Sequence, residues 1–132
     1  MSDEALDLTG SWSGLFSYES PRPPVSFTAA LTEAGGWLSG ATEEVATSGP
    51  SQGKTKRANL EGRRAGTSVT FLKTYDEVVG GYDSVQYVGA VNGDGSEIEG
   101  RWTIFGRATG SFLMIRSPGS QAAVERRAAE RV

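Results

Sequence analysis

Between residues 97 and 104 apolar and charged positions alternate without a break. Ile98, Gly100, Trp102 and Ile104 share one face, and Glu97, Glu99, Arg101 and Thr103 share the other. A period of two with one apolar and one charged face predicts a strand buried on its inner side and wetted on its outer side. The same period recurs along the chain. Residues 10–19 set Trp12, Gly14, Phe16 and Tyr18 against Ser11, Ser13 and Ser17, and residues 25–33 set Val25, Phe27, Ala29 and Leu31 against Ser26, Thr28 and Thr32. Residues 37–44 place Leu38, Gly40 and Thr42 inward, and residues 56–64 place Ala58, Leu60 and Gly62 inward. Val69, Phe71, Lys73 and Tyr75 follow in residues 67–75, then Val85, Tyr87, Gly89 and Val91 in residues 83–91. A last strand over residues 109–116 is apolar on both faces, with Phe112 and Met114 on one and Leu113 and Ile115 on the other.

Turn chemistry separates these segments. Pro21-Arg22-Pro23-Pro24 removes three backbone donors, so no ladder continues through it. Ala34-Gly35-Gly36 and Asn92-Gly93-Asp94-Gly95 are hairpin signals, and Ser48-Gly49-Pro50-Ser51 marks a loop. Eight consecutive strands form a meander that can close on itself and remove its edges. The expected fold is all-β, an eight-stranded antiparallel up-and-down meander β-barrel over residues 9–117. Residues 1–8 read as a flexible lead-in and residues 118–132 as a helical or frayed tail with Ser120 as its cap. Links after the second, fourth and sixth strands are short and fall at one end. Those after the first, third, fifth and seventh are longer, including a loop over residues 76–82, and fall at the other. The barrel is expected to be a cup with a loop-rich mouth.

Composition then removes chemistry. The 132 residues contain no cysteine and no histidine, which excludes disulfides, the usual zinc sites, thiol nucleophiles and the commonest general base. A net charge of −3 with scattered Lys and Arg carries no nucleic-acid footprint, and no apolar run is long enough to span a bilayer. The acidic start lacks the basic and apolar regions of a signal peptide, so a soluble cytoplasmic protein is expected. No cofactor or metal is implied.

Four segments carry a resemblance to a known family: Leu8-Thr9-Gly10-Ser11-Trp12, Gly36-Trp37-Leu38-Ser39-Gly40, Gln86-Tyr87-Val88-Gly89 and Ile98-Glu99-Gly100-Arg101-Trp102. In order and spacing they resemble the avidin and streptavidin family, within the lipocalin-type barrels, over residues 8–116. That resemblance implies the same barrel and a small-molecule site at its mouth. It does not carry the biotin site across. Gly14 stands where the family has an Asn, Thr42 where it has a Tyr, and Phe71 where it has a Trp, leaving Trp102. Losing polar partners in this way lowers affinity steeply, so tight biotin binding is not expected. Family members oligomerise through outer faces. The two-sided strand at residues 109–116, with Val88 and Ala90, leads to an expected homo-oligomer, a dimer or tetramer, unless the C-terminal segment covers that face.

The inward positions that can line a ligand site are Tyr18, Phe27, Thr42, Phe71, Lys73, Tyr75, Tyr87, Trp102 and Phe112. Aromatic walls with a few polar groups suit a small apolar or aromatic ligand, and the same side chains can equally fill the barrel as core. Lys73 shares its face with Val69 and Phe71, so it needs an acid such as Glu44, an anionic ligand, or a rim position from which to reach water. Trp12 and Arg116 fall at the stitched end of neighbouring strands, where an Arg over a Trp ring would close the barrel. Catalysis has only carboxylates, Tyr or Lys to draw on, Asp76, Glu77 and Asp83 among them. The expectation is a non-catalytic binding barrel. The alternatives are a filled barrel that engages a protein and, further off, a cyclase or isomerase.

Overall fold

The computed structural model describes residues 6–46, 52–79 and 82–116. Eight strands follow in chain order: β1 Gly10–Tyr18, β2 Val25–Ala34, β3 Trp37–Val45, β4 Thr55–Ala65, β5 Ser68–Val79, β6 Tyr82–Val91, β7 Glu97–Ile104 and β8 Ala108–Arg116. Each pairs antiparallel with the next, and β8 returns to β1 to close the barrel. Closure runs from Trp12 opposite Arg116 to Tyr18 opposite Gly110. The alternation that marks the strands is the alternation of burial. Along β2, Val25, Phe27, Ala29 and Leu31 are buried, while Thr28, Ala30 and Thr32 are exposed.

The expected loop over residues 76–82 is not a loop throughout. β5 runs on to Val79, β6 starts at Tyr82, and those two residues pair after a register shift beyond Thr74. At a barrel rim one side of the strand faces water, so an exposed Asp76 can sit in it without a desolvation cost. The asymmetry between the two ends is consequently weaker than the sequence suggests. Only the β1–β2 and β3–β4 links at the mouth are long, and the β6–β7 link at the other end is longer than a tight hairpin. The expected C-terminal helix and part of the β3–β4 loop lie outside the described residues.

Leu6, Asp7 and Leu8, taken from sequence as part of a loose lead-in, form the floor of the barrel. Leu8 is fully buried, its N–H donates to Glu33 Oε1 at 3.0 Å, and its carbonyl accepts from Trp12 Nε1 at 3.0 Å. Arg116 lies 4.6 Å over the Trp12 ring and donates to the carbonyls of Gly95, Thr9 and Asp7. The Arg–Trp closure expected from the sequence is therefore present, with the N-terminal segment tied beneath it.

The outer faces behave in two ways. Leu15 and Leu113 are buried and pack with Ile115 on the outside of β1 and β8, whereas Val88 on β6 is 54% exposed. Among the described residues no helix is long and apolar enough to cross a membrane.

Candidate functional site

The lumen is built in layers because each strand contributes an inward side chain at every second residue. In the middle, Phe71 on β5 stacks on Tyr87 on β6 with ring centres 4.9 Å apart and planes 13° apart. Phe112 on β8 closes edge-on against both. Phe27 on β2 lies over its ladder partner Gly14 on the neighbouring β1, where a β-carbon would strike the Phe27 ring. Thr42 sits among these residues, 2% exposed, and its Oγ1 has no hydrogen-bond partner.

Above that layer lies a buried ion pair. Lys73 on β5 is 1% exposed, and its Nζ donates to Glu44 Oε1 on β3 at 2.7 Å. Tyr75 donates its hydroxyl to the same oxygen at 2.9 Å. Four rings surround the ammonium at 4.8 to 5.7 Å: Phe16, Phe27, Tyr75 and Tyr87. Such a cage stabilises a desolvated cation through the electron-rich ring faces. Burial lowers the Lys73 pKa from the ordinary 10.5, and the Glu44 carboxylate pulls it partly back. Of the roles open to Lys73 on sequence grounds, the structure supplies the internal acid partner and removes the rim position.

At the mouth the walls diverge. Trp102 on β7 donates Nε1–H to the Ser17 carbonyl at 3.0 Å and meets Tyr18 edge-on at 5.3 Å. It can lie this way because its partner across β8 is Gly110, where any β-carbon would press on the indole. Phe16, Tyr18, Glu44, Lys56, Tyr75, Val85, Tyr87, Trp102 and Ile104 enclose a space of about 40 Å³. Outside it, a depression of about 590 Å³ opens between the β1–β2 and β7–β8 links, and Tyr18 and Ile104 line both spaces. Arg22 covers the Tyr18 ring at 3.9 Å, and Glu19 is held outward by Arg101 at 2.7 Å.

The sequence-derived candidates therefore divide by depth. Tyr18, Tyr75, Tyr87 and Trp102 come together around the small space, while Phe27, Thr42, Phe71, Lys73 and Phe112 stand below it and line neither space. Phe16, Lys56, Val85 and Ile104 line the small space without having been singled out as a group. Lys56 was detectable, since it shares parity with Ala58 and Leu60 at the mouth end of β4. Arg22 and Ser20 come from an irregular link whose position no periodicity predicts.

Burial also sets a titration. The Tyr87 hydroxyl is pushed well above the ordinary 10.0, chiefly by desolvation, with Glu44 and Tyr18 adding. A raised folded pKa contributes stability that is full below pH 10 and is lost as pH rises toward the folded value. Unfolded tyrosine ionises there and the buried one does not. Tyr87→Phe removes this penalty. In urea unfolding the variant is expected to match wild type near pH 8 and to gain on it by about 1.4 kcal/mol per pH unit above 10. Parallel curves for the two proteins up to pH 11 would contradict this.

No family model and no curated protein matches the chain. Among solved structures it is similar to a redesigned β-barrel, with a TM-score of 0.68 over 89% of this chain and 95% of that one at 11% identity. That likeness concerns the barrel fold.

Proposed function

We propose that this barrel is a non-catalytic binding module that holds a small, mainly aromatic ligand across its loop-rich mouth, above a filled lumen. One observation carries the reading: the small aromatic-walled space and the open depression share Tyr18 and Ile104, so apolar floor and polar rim form one continuous surface. A depression of about 590 Å³ falls in the size range of small-molecule sites, roughly 300–1,000 Å³. The 40 Å³ beneath it admits a water or two, or one small polar group, and nothing larger. This barrel would seat its ligand higher than the avidin-type site implied by the sequence motifs, because the Lys73–Glu44 pair and the Phe71–Tyr87–Phe112 layer occupy the depth. The Lys73 ammonium is already engaged by Glu44 Oε1, which suits binding better than proton transfer.

Planar aromatics such as 2-naphthol and 2-methoxynaphthalene, titrated into isotope-labelled protein, are expected to shift the Trp102 indole N–H and the Tyr18 ring resonances. Tyr18→Ala should weaken binding by about 1 kcal/mol or more through loss of a ring contact. Unmoved Trp102 and Tyr18 signals at millimolar compound would reject the reading. They would favour a filled barrel that engages a protein through its loops, for which Phe105, 97% exposed at the β7–β8 tip, is the specific indication.

A further inference from the structure

Resting on the mouth-binding reading, we infer that the 40 Å³ space is a head-group site for a neutral hydrogen-bond donor, the hydroxyl of a phenol-like ligand, received by Glu44 Oε2. Both hydrogen bonds to this carboxylate, from Lys73 Nζ and from Tyr75, fall on Oε1. Glu44 is 6% exposed and lines the space, so Oε2 is the acceptor left for an occupant. A carboxylate oxygen is a strong acceptor, and a hydroxyl that reaches it makes a charge-assisted hydrogen bond.

The surroundings select the kind of donor. Lys73 and Lys56 flank Glu44, with Lys56 Nζ 4.5 Å over the Tyr75 ring. A third cation would face two ammonium groups, one of them already in the aromatic cage. An anionic head would face the carboxylate at hydrogen-bond range. A hydroxyl avoids both repulsions, since it donates to Oε2 and can accept from Lys56 or the Tyr87 hydroxyl, which line the same space. Its volume fits where a larger group does not. The attached ring then lies on Tyr18 and Ile104, the residues common to both spaces.

Three ligands of one shape separate the outcomes: 2-naphthol, 2-methoxynaphthalene and 2-naphthoate, with affinities from calorimetry at pH 7 and resonances of Trp102 as the locator. The hydroxyl compound is expected to bind about tenfold or more tightly than the methoxy compound, the difference due to one hydrogen bond to a charged acceptor, and more tightly than the carboxylate. In the Glu44→Leu/Lys73→Met double variant, which keeps the lumen filled and uncharged, the hydroxyl preference should vanish. Equal binding of the hydroxyl and methoxy compounds, a preference for 2-naphthoate, or a preference that persists in the double variant would overturn the donor site while leaving binding at the mouth intact. If none of the three moves the Trp102 resonance, the mouth reading itself falls.

Discussion

Lys73→Met is expected to destabilise the barrel by about 3–5 kcal/mol, because it strips a buried carboxylate of its counter-ion without removing the carboxylate. Glu44 would keep only the Tyr75 hydroxyl, at 2.9 Å, in place of an ammonium at 2.7 Å. The aromatic cage loses its cation at the same time, although Met restores most of the filled volume. Glu44→Leu with Lys73 intact should cost a similar amount for the mirror reason. Together, Lys73→Met and Glu44→Leu should return to within about 1–2 kcal/mol of wild type, since neither desolvated charge remains. Urea unfolding of the four proteins closes this cycle. A single Lys73→Met that unfolds with wild-type stability would mean the pair is solvated, contrary to its burial.

The pH dependence of the pair has a definite sign. Lys73 has a folded pKa below 10.5, so the unfolded chain binds the extra proton first as pH falls. The stability conferred by relieving its buried charge is complete above 10.5 and is lost as pH drops through the folded value. Lys73→Met removes that slope, and it runs opposite to the Tyr87 slope above pH 10.

Side and depth were not equally legible in the sequence. Alternation assigns a residue to the inside or the outside, and it placed Lys73, Tyr87 and Trp102 inward, where they are buried. It does not say how far down the barrel a residue stands, because depth depends on strand tilt and stagger around the closed sheet. The register sets Glu44 opposite both Phe27 and Lys56, an arrangement that only closed pairing reveals. The ladder therefore sorts the aromatics into Phe71 and Phe112, which fill the barrel, and Tyr18 and Trp102, which face the mouth. The carboxylate at the centre of the proposed site was visible as a partner for Lys73 and invisible as an acceptor for anything else. The lead-in was harder to read: Leu6 and Leu8 share the inward parity of Trp12 and Phe16, but they are only two apolar residues in an acidic stretch ahead of the first strand. What holds them comes from far along the chain, Arg64 at a separation of 58 residues from Leu6 and Arg116 at 109 from Asp7.

Those distant contacts lead to the second large effect, at the floor. Arg64→Ala is expected to cost about 3–5 kcal/mol, comparable to breaking the ion pair in the lumen. The Arg64 Nε donates to both Glu33 oxygens at 2.9 and 2.8 Å, and its terminal nitrogens reach the carbonyls of Gly66 at 2.7 Å and Leu6 at 2.9 Å. Both side chains of the ion pair are buried, and Glu33 Oε1 also accepts the Leu8 N–H. Removing the guanidinium therefore strands Glu33 and releases the segment that plugs the barrel. Arg64→Lys is not a rescue, because one ammonium cannot reproduce a planar fork with four acceptors, and a loss of about 2 kcal/mol or more should remain. Arg116→Ala should cost less, since its three carbonyl partners lie nearer solvent, with most of the effect coming from the Trp12 stack. Hydrogen exchange separates a floor from a lead-in. In Arg64→Ala the Leu8 amide and the Trp12 indole N–H should lose protection together, while the Phe71 and Tyr87 amides keep theirs. Protection at Leu8 that survives Arg64→Ala would show that the plug holds itself in place and that the guanidinium only decorates it.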